Sequence, residues 1–256
     1  MGVGILTGTA MHSAGKSETR GVTPPAADGE NPHRSRGALS RPQGRFESQA
    51  REAFDDGWTR EDEAPAPLAT SVTEERARSI VARNDSPDIP FSQSINPYRG
   101  CEHGCVYCYA RPSHAYLELS PGLDFESRLF AKVNAVERLR AELARPGYVP
   151  KPISLGANTD CYQPIERRYR ITRDLIELLS QCRHPLTIVT KSALVLRDLD
   201  ILSRMAERNL AKVALSVTSL DAKLARSMEP RAATPMRRLE TLRRLTDAGV
   251  PTAVMV

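Results

Sequence analysis

The sequence predicts an α/β fold assembled from parallel βα units. One observation carries this: short β-branched apolar runs alternate with amphipathic helical patterns from residue 91 onward, the signature of strands joined by helical crossovers. The first strand is read at residues 93–99. A helix follows at 126–144, where Leu129, Val133, Val136, Leu139 and Leu143 recur at spacings of three and four and so share one helical face. Strands are expected at 153–157, 186–190 and 212–218. A helix at 172–182 takes Thr172 as its N-cap and turns Leu175, Ile176, Leu178 and Leu179 inward. Another runs over 197–208. The last is punctuated by Thr234 as N-cap, Pro235 at its first position and Gly249 at its end, with Leu239, Leu242 and Leu245 inside. Residues 251–256 (PTAVMV) open a fifth strand of this series. Parallel strands are normally continued by a crossover, so the expectation is a domain that is incomplete at its C-terminus.

Upstream the texture differs. Residues 1–68 are rich in Gly, Pro, Ser, Arg and acidic side chains. Such a segment buries too little apolar surface to offset its ordering entropy, which predicts a disordered tail. The stretch from Arg45-Phe46 to Trp58 is the exception, a candidate for docking its aromatics on the core. Residues 69–90 read as a linker packing on the core, and 91–256 as the α/β domain.

Composition narrows the function classes. The chain has 256 residues, a formal net charge of +5 and 40% hydrophobic residues. A mild basic excess is compatible with a nucleic-acid partner without requiring one. No apolar run approaches the length of a membrane helix, and the N-terminus lacks the basic and apolar regions of a secretory signal. A cytoplasmic, membrane-free protein is the expectation. Of the 5 cysteines, Cys101, Cys105 and Cys108 fall within one short loop, CEHGCVYC. That is poor geometry for disulfides and good geometry for a metal centre. Three thiolates suit an iron–sulfur cluster with one iron left open. They also suit a structural zinc site completed by His103 or His114, within a non-catalytic nucleic-acid-binding module.

The segment SINPYRGCEHGCVYCYARPSHAY resembles the cluster loop of the radical S-adenosylmethionine (SAM) enzymes, in the branch related to spore photoproduct lyase and DNA repair photolyases. The resemblance implies a partial TIM-like (βα)6 barrel, here reaching into its fifth strand. It implies a [4Fe-4S] cluster on Cys101, Cys105 and Cys108, with SAM on the open iron. It implies radical chemistry on an unidentified substrate, with nucleic acid as a candidate, and an electron donor such as flavodoxin or ferredoxin. Asn158, Thr159 and Asp160, in the turn after the 153–157 strand, are candidates for the SAM pocket. Lys191 is the candidate partner of the SAM carboxylate and Ser216 of the ribose. Cys161 is a weak candidate for a hydrogen-donating thiol, and an inactive fragment is the alternative for the chain as a whole. Glu229 and Arg231 in the following loop are candidates for further polar contacts.

Overall fold

The computed structural model describes residues 36–48 and 68–256. The first strand, β1 (Ser71–Glu75), pairs parallel with a strand absent from the sequence reading. β2 (Val81–Arg83) runs antiparallel to β3 (Gln93–Ile95). The segment read as a linker therefore supplies two strands. It is pinned by side chains: the Glu142 carboxylate accepts the Ile80 N–H at 2.7 Å, and Asn134 Oδ1 accepts the Ala77 N–H at 2.8 Å.

The single strand expected at 93–99 is broken in two. Asn96-Pro97 interrupts it, because proline has no N–H to give to a ladder. β3 stays in the large sheet, while β4 (Tyr98–Arg99) joins the small one. The helix expected over 126–144 is likewise corrected. A short helix α1 (Leu123–Ser127) gives way to strand β5 (Arg128–Lys132), and only then does α2 (Ala135–Leu143) begin. Leu129 and Ala131 are both fully buried, and a spacing of two puts them on one face of a strand but on opposite sides of a helix. Pairing on both sides, to β1 and β4, decides for the strand.

From there the βα alternation runs as expected. β6 (Ile153–Leu155) leads to helices α3 (Glu166–Tyr169) and α4 (Ile171–Gln181). β7 (Leu186–Thr190) is followed by a 3-10 turn and α5 (Leu199–Ala206). β8 (Ala211–Ser216) is followed by α6 (Ala222–Met228) and α7 (Pro235–Asp247), and β9 (Thr252–Met255) closes the series. The 6-stranded sheet has the order β2-β3-β6-β7-β8-β9, parallel from β3 onward. Such an order, each new strand added beside the last, is what right-handed βα units generate.

One face of this sheet carries the core. Leu186, Ile188, Ala211, Val213 and Leu215 pack with Leu139, Leu175, Ile176, Leu179 and Leu202 from the helices. The alternating residues Thr187, Val189 and Ala214 are only half-buried, so the second face is partly covered, as in an open barrel segment.

Two helices depart from expectation, one at its start and one along its inner face. Thr172 is not the cap of α4. Its hydroxyl donates to the Cys161 carbonyl at 2.5 Å, and the buried Glu166 carboxylate accepts the Thr172 and Arg173 N–H groups instead. In α7, Thr234 does cap, accepting from the Arg237 N–H, but Leu239 faces solvent. Its place is taken by Arg238, 1% exposed, whose guanidinium pairs with Glu229 and donates to the Ser216 carbonyl at 2.9 Å. A neutralised arginine with a hydrogen-bond partner at each of its three nitrogens can occupy a core position that helical periodicity assigns to an apolar residue.

The expected tail overlaps the described residues at 36–48. This segment lies against α1, with the Ser40 carbonyl accepting the Leu123 N–H at 3.0 Å and Arg41 paired with Asp124 at 2.9 Å. Phe46 stacks on Tyr116 with ring centroids 5.2 Å apart, both rings exposed, so the contact lies at the surface rather than on the core. Trp58 and the rest of the tail lie outside the described residues.

Glu166 also accepts the Tyr98 hydroxyl and pairs with Arg197 at 2.6 Å. Removing one partner of such a buried cluster strands the others, so Glu166→Ala should cost about 3–5 kcal/mol, measured by urea titration. Glu166→Gln, which keeps the shape, should cost less.

Candidate functional site

The cysteine loop leaves β4 through Gly100, whose φ of +75° is open to glycine. A Cβ there would press on Leu129 Cδ2 at 2.7 Å and the Phe125 carbonyl at 2.8 Å, so the close approach also excludes a side chain. Gly104, with φ +68°, makes a second left-handed step. Because the loop is irregular, its peptide groups find partners elsewhere. The Cys101 N–H donates to the Phe125 carbonyl at 2.9 Å, and the Val106 N–H to Met228 at 3.0 Å. Gln163 accepts the Glu102 N–H at 3.0 Å and donates to the Gly100 carbonyl at 2.9 Å. The His103 carbonyl accepts the Arg231 N–H at 3.2 Å.

Cys101 and Cys105 are buried and Cys108 is half-exposed. Cys101 and Cys108 pack with Ala110 and Phe125. Burial raises the Cys101 thiol well above its ordinary value and pushes Cys105 up to about 12. As free thiols both are therefore protonated at neutral pH, and binding a metal would release those protons. Among the described residues no three His, Cys, Asp or Glu side chains are gathered closely enough to hold one metal ion. A single tetrahedral zinc would need thiolates about 3.8 Å apart, from a Zn–S bond near 2.3 Å. A cubane takes one thiolate per iron and spreads them more widely.

Each of the two candidate imidazoles keeps a buried Nδ1 without a hydrogen bond. His103 Nδ1 lies 3.2 Å from Asp160 Oδ2, at ion-pair distance though outside hydrogen-bond alignment. His114 Nε2 lies 3.0 Å from the Arg128 carbonyl, its ring edge-on to Phe125. The donor set next to the loop is three thiols, which fits a cluster.

The parallel strands deliver the remaining candidates to the same end of the sheet. After β6, Asn158 and Thr159 direct their N–H groups at Asn96 Oδ1, at 2.8 and 3.4 Å. The Thr159 hydroxyl is spent on the Tyr98 carbonyl at 2.8 Å. Asp160 accepts from the Thr190 hydroxyl at 2.7 Å and the Lys191 N–H at 2.8 Å. Burial would raise its carboxyl, but His103, the Lys191 N–H and the Thr190 hydroxyl outweigh this and hold it at about 2. Asp160 thus locks the end of β7 to the β6 turn and to the cysteine loop. Cys161 is fully enclosed in the main core.

Lys191 extends from β7 over the cysteine loop, its Nζ 5.7 Å from the Tyr107 ring centroid. Ser216, at the end of β8, is buried, and its carbonyl is held by Arg238. Sequence reasoning placed Glu229 near the site without its role. Its carboxylate accepts the Tyr107 hydroxyl and the Thr218 hydroxyl and pairs with Arg238. It joins the cysteine loop, the end of β8 and α7. Arg231 pairs not with Glu229 but with Glu102, at 3.1 Å. A cleft of about 700 Å3 lined by Arg83, Asn84, Gln93 and Lys151 lies at the opposite ends of β3 and β6, and no residue of the cysteine loop lines it.

Comparison with known proteins gives this arrangement a family. The profile of the radical SAM superfamily matches residues 95–256. An uncharacterised protein of Mycobacterium tuberculosis (strain H37Rv) is 38% identical over 194 residues, covering 75% of this chain and 57% of its own length. One of Methanocaldococcus jannaschii is 28% identical over 156 residues, covering 61% of this chain and 56% of its own. This chain thus spans a little over half the length of these relatives. A solved spore photoproduct lyase mutant with bound AdoMet and dinucleoside spore photoproduct shares the fold, with TM-score 0.54 and 19% identity over 72% of this chain and 50% of that one. With the cysteine loop at the strand ends and the profile covering every strand from β6 onward, the chain belongs to the radical SAM superfamily.

Proposed function

We propose that this chain is the catalytic core of a radical SAM enzyme that holds a [4Fe-4S] cluster on Cys101, Cys105 and Cys108 and cleaves SAM reductively. The observation that supports it best is the placement of three neighbouring thiols on one loop beside Lys191, at the C-terminal ends of parallel strands. That end is where barrel enzymes of this construction carry their chemistry. When bound, the cluster supplies the electron that splits the sulfonium and releases a 5′-deoxyadenosyl radical, which takes hydrogen from the substrate.

The chain's own residues bind, orient and exclude water. Lys191 offers a positive charge to the SAM carboxylate, and the Tyr107 ring beneath it limits where that charge can sit. Ser216 offers its hydroxyl to the ribose. Asn158 lies beside the loop through its contact with Ser113 at 3.5 Å and offers an amide to the bound nucleoside. Thr159 and Asp160 act behind these, holding the strand ends in register. A nucleic-acid substrate and a flavodoxin- or ferredoxin-type electron donor complete the proposal. The product-forming step is left to the unidentified substrate, since a shared fold does not choose one. No helix among the described residues is long and apolar enough to cross a membrane.

Two measurements test this. Anaerobically reconstituted protein should bind about four irons per chain and turn brown, and changing Cys101, Cys105 and Cys108 together to Ala should abolish both. Iron retained by the triple variant would defeat the ligand assignment. With reductant and SAM, the intact protein should form 5′-deoxyadenosine. Lys191→Met should raise the KM for SAM about 10- to 100-fold, the worth of one charge-assisted contact, with a smaller effect on kcat. An unchanged KM would remove Lys191 from the site.

A further inference from the structure

Residues 36–42 touch the cysteine loop from outside the βα series, and their contacts converge on it by two routes. In the first, the Gly37 and Ala38 N–H groups donate to the two oxygens of the Glu126 carboxylate, at 2.9 and 2.8 Å. Glu126 is fully buried. Its Oε1 also accepts from Arg111 at 2.5 Å, and Arg111 in turn donates to the Cys105 carbonyl at 2.8 and 3.1 Å. In the second, Arg36 donates to the Thr70 hydroxyl at 2.8 Å, and that hydroxyl donates to Glu102, the neighbour of Cys101, at 2.6 Å. Between the two routes, Gly37 lies against Gly104. A Cβ on Gly37 would drive into the Gly104 carbonyl. The contact is glycine on glycine, backbone against backbone, in the middle of the C-x3-C-x2-C loop.

We propose that residues 36–42 form a strap that completes the cluster loop, with Glu126 as the positioning residue that carries the strap's hold through Arg111 to the Cys105 carbonyl. The loop's left-handed turn at Gly104 has no ladder of its own. Without the strap, Glu126 loses two donors in a buried site, Arg111 loses its fixed anchor, and the Cys105 carbonyl loses its aim. The strap is thus an element of cofactor retention contributed by a segment distant in sequence. Its connection to iron rests on the cluster reading above, while its hold on the loop stands without metal.

The test uses the full chain carrying Gly37→Ala or Gly37→Val, a graded push on Gly104. Hydrogen–deuterium exchange is followed without iron in peptides covering residues 100–111 and 186–190. Exchange in the cysteine loop should quicken about 10-fold or more in the valine variant and less in the alanine variant, with β7 unchanged. Equal exchange in wild type and both variants would overturn the strap, whatever the loop binds. Anaerobic reconstitution of the same proteins then reads retention. Iron per chain should fall in the order wild type, alanine, valine, and the absorption spectrum of the iron that remains should change. Full and spectrally unaltered iron in the valine variant would overturn the link to retention. Absence of iron in wild type would strike the cluster reading alone, because the exchange result is obtained without it.

Discussion

The structure depends on satisfying an irregular, largely buried loop. Residues 100–108 turn twice through left-handed glycines and cannot form a ladder, yet a buried peptide group without a partner costs free energy comparable to a lost hydrogen bond. The protein meets this constraint with side chains from elements far apart in sequence. Gln163 serves one end of the loop, Arg111 the Cys105 carbonyl, and Glu229 the Tyr107 hydroxyl. The Met228 carbonyl and the Arg231 N–H contribute from the segment after α6. The loop is held by many modest bonds, so its shape is set by the whole end of the sheet.

Carboxylates do most of this joining. Glu126, Glu166 and Glu229 are buried and Asp160 is partly buried, and each bridges at least two elements. Buried charges are expensive, and replacing such pairs by apolar residues is often neutral for stability. Their return is geometric: each accepts several donors from fixed directions and so sets strand ends in register. A radical site needs that register, since the reactive bond must be oriented and water kept away.

Much of this was legible in the sequence. The βα alternation from β6 to β9, the Thr234–Pro235 helix start and the cysteine spacing are local signals, and local signals survive folding. The failures have a common cause. Leu129 and Val133 stand four apart, a spacing that fits a helical turn and a strand's alternation equally, and only the distant partner Ser71–Glu75 makes Arg128–Lys132 a strand. Arg238 occupies an inward position because Glu229 neutralises it, and Thr172 gives up its capping role because Glu166 takes the helix N–H groups. Residues 36–44 bury little apolar surface, and hydrogen bonds to Glu126 and Asp124 tie Gly37, Ala38 and Arg41 to the domain instead. Long-range pairing leaves no mark in a window of neighbouring residues. The three thiols were found from spacing, but that Thr159 faces the backbone and Cys161 the core could only come from three dimensions.

The central claim is that three thiols hold a cluster whose remaining iron is open to SAM. The most direct measurement is electron paramagnetic resonance of the reconstituted, reduced protein before and after SAM is added. A ligand arriving at an iron alters that cluster's electronic environment. The account predicts a cluster signal that shifts on adding SAM, and a signal identical in its presence and absence would contradict it.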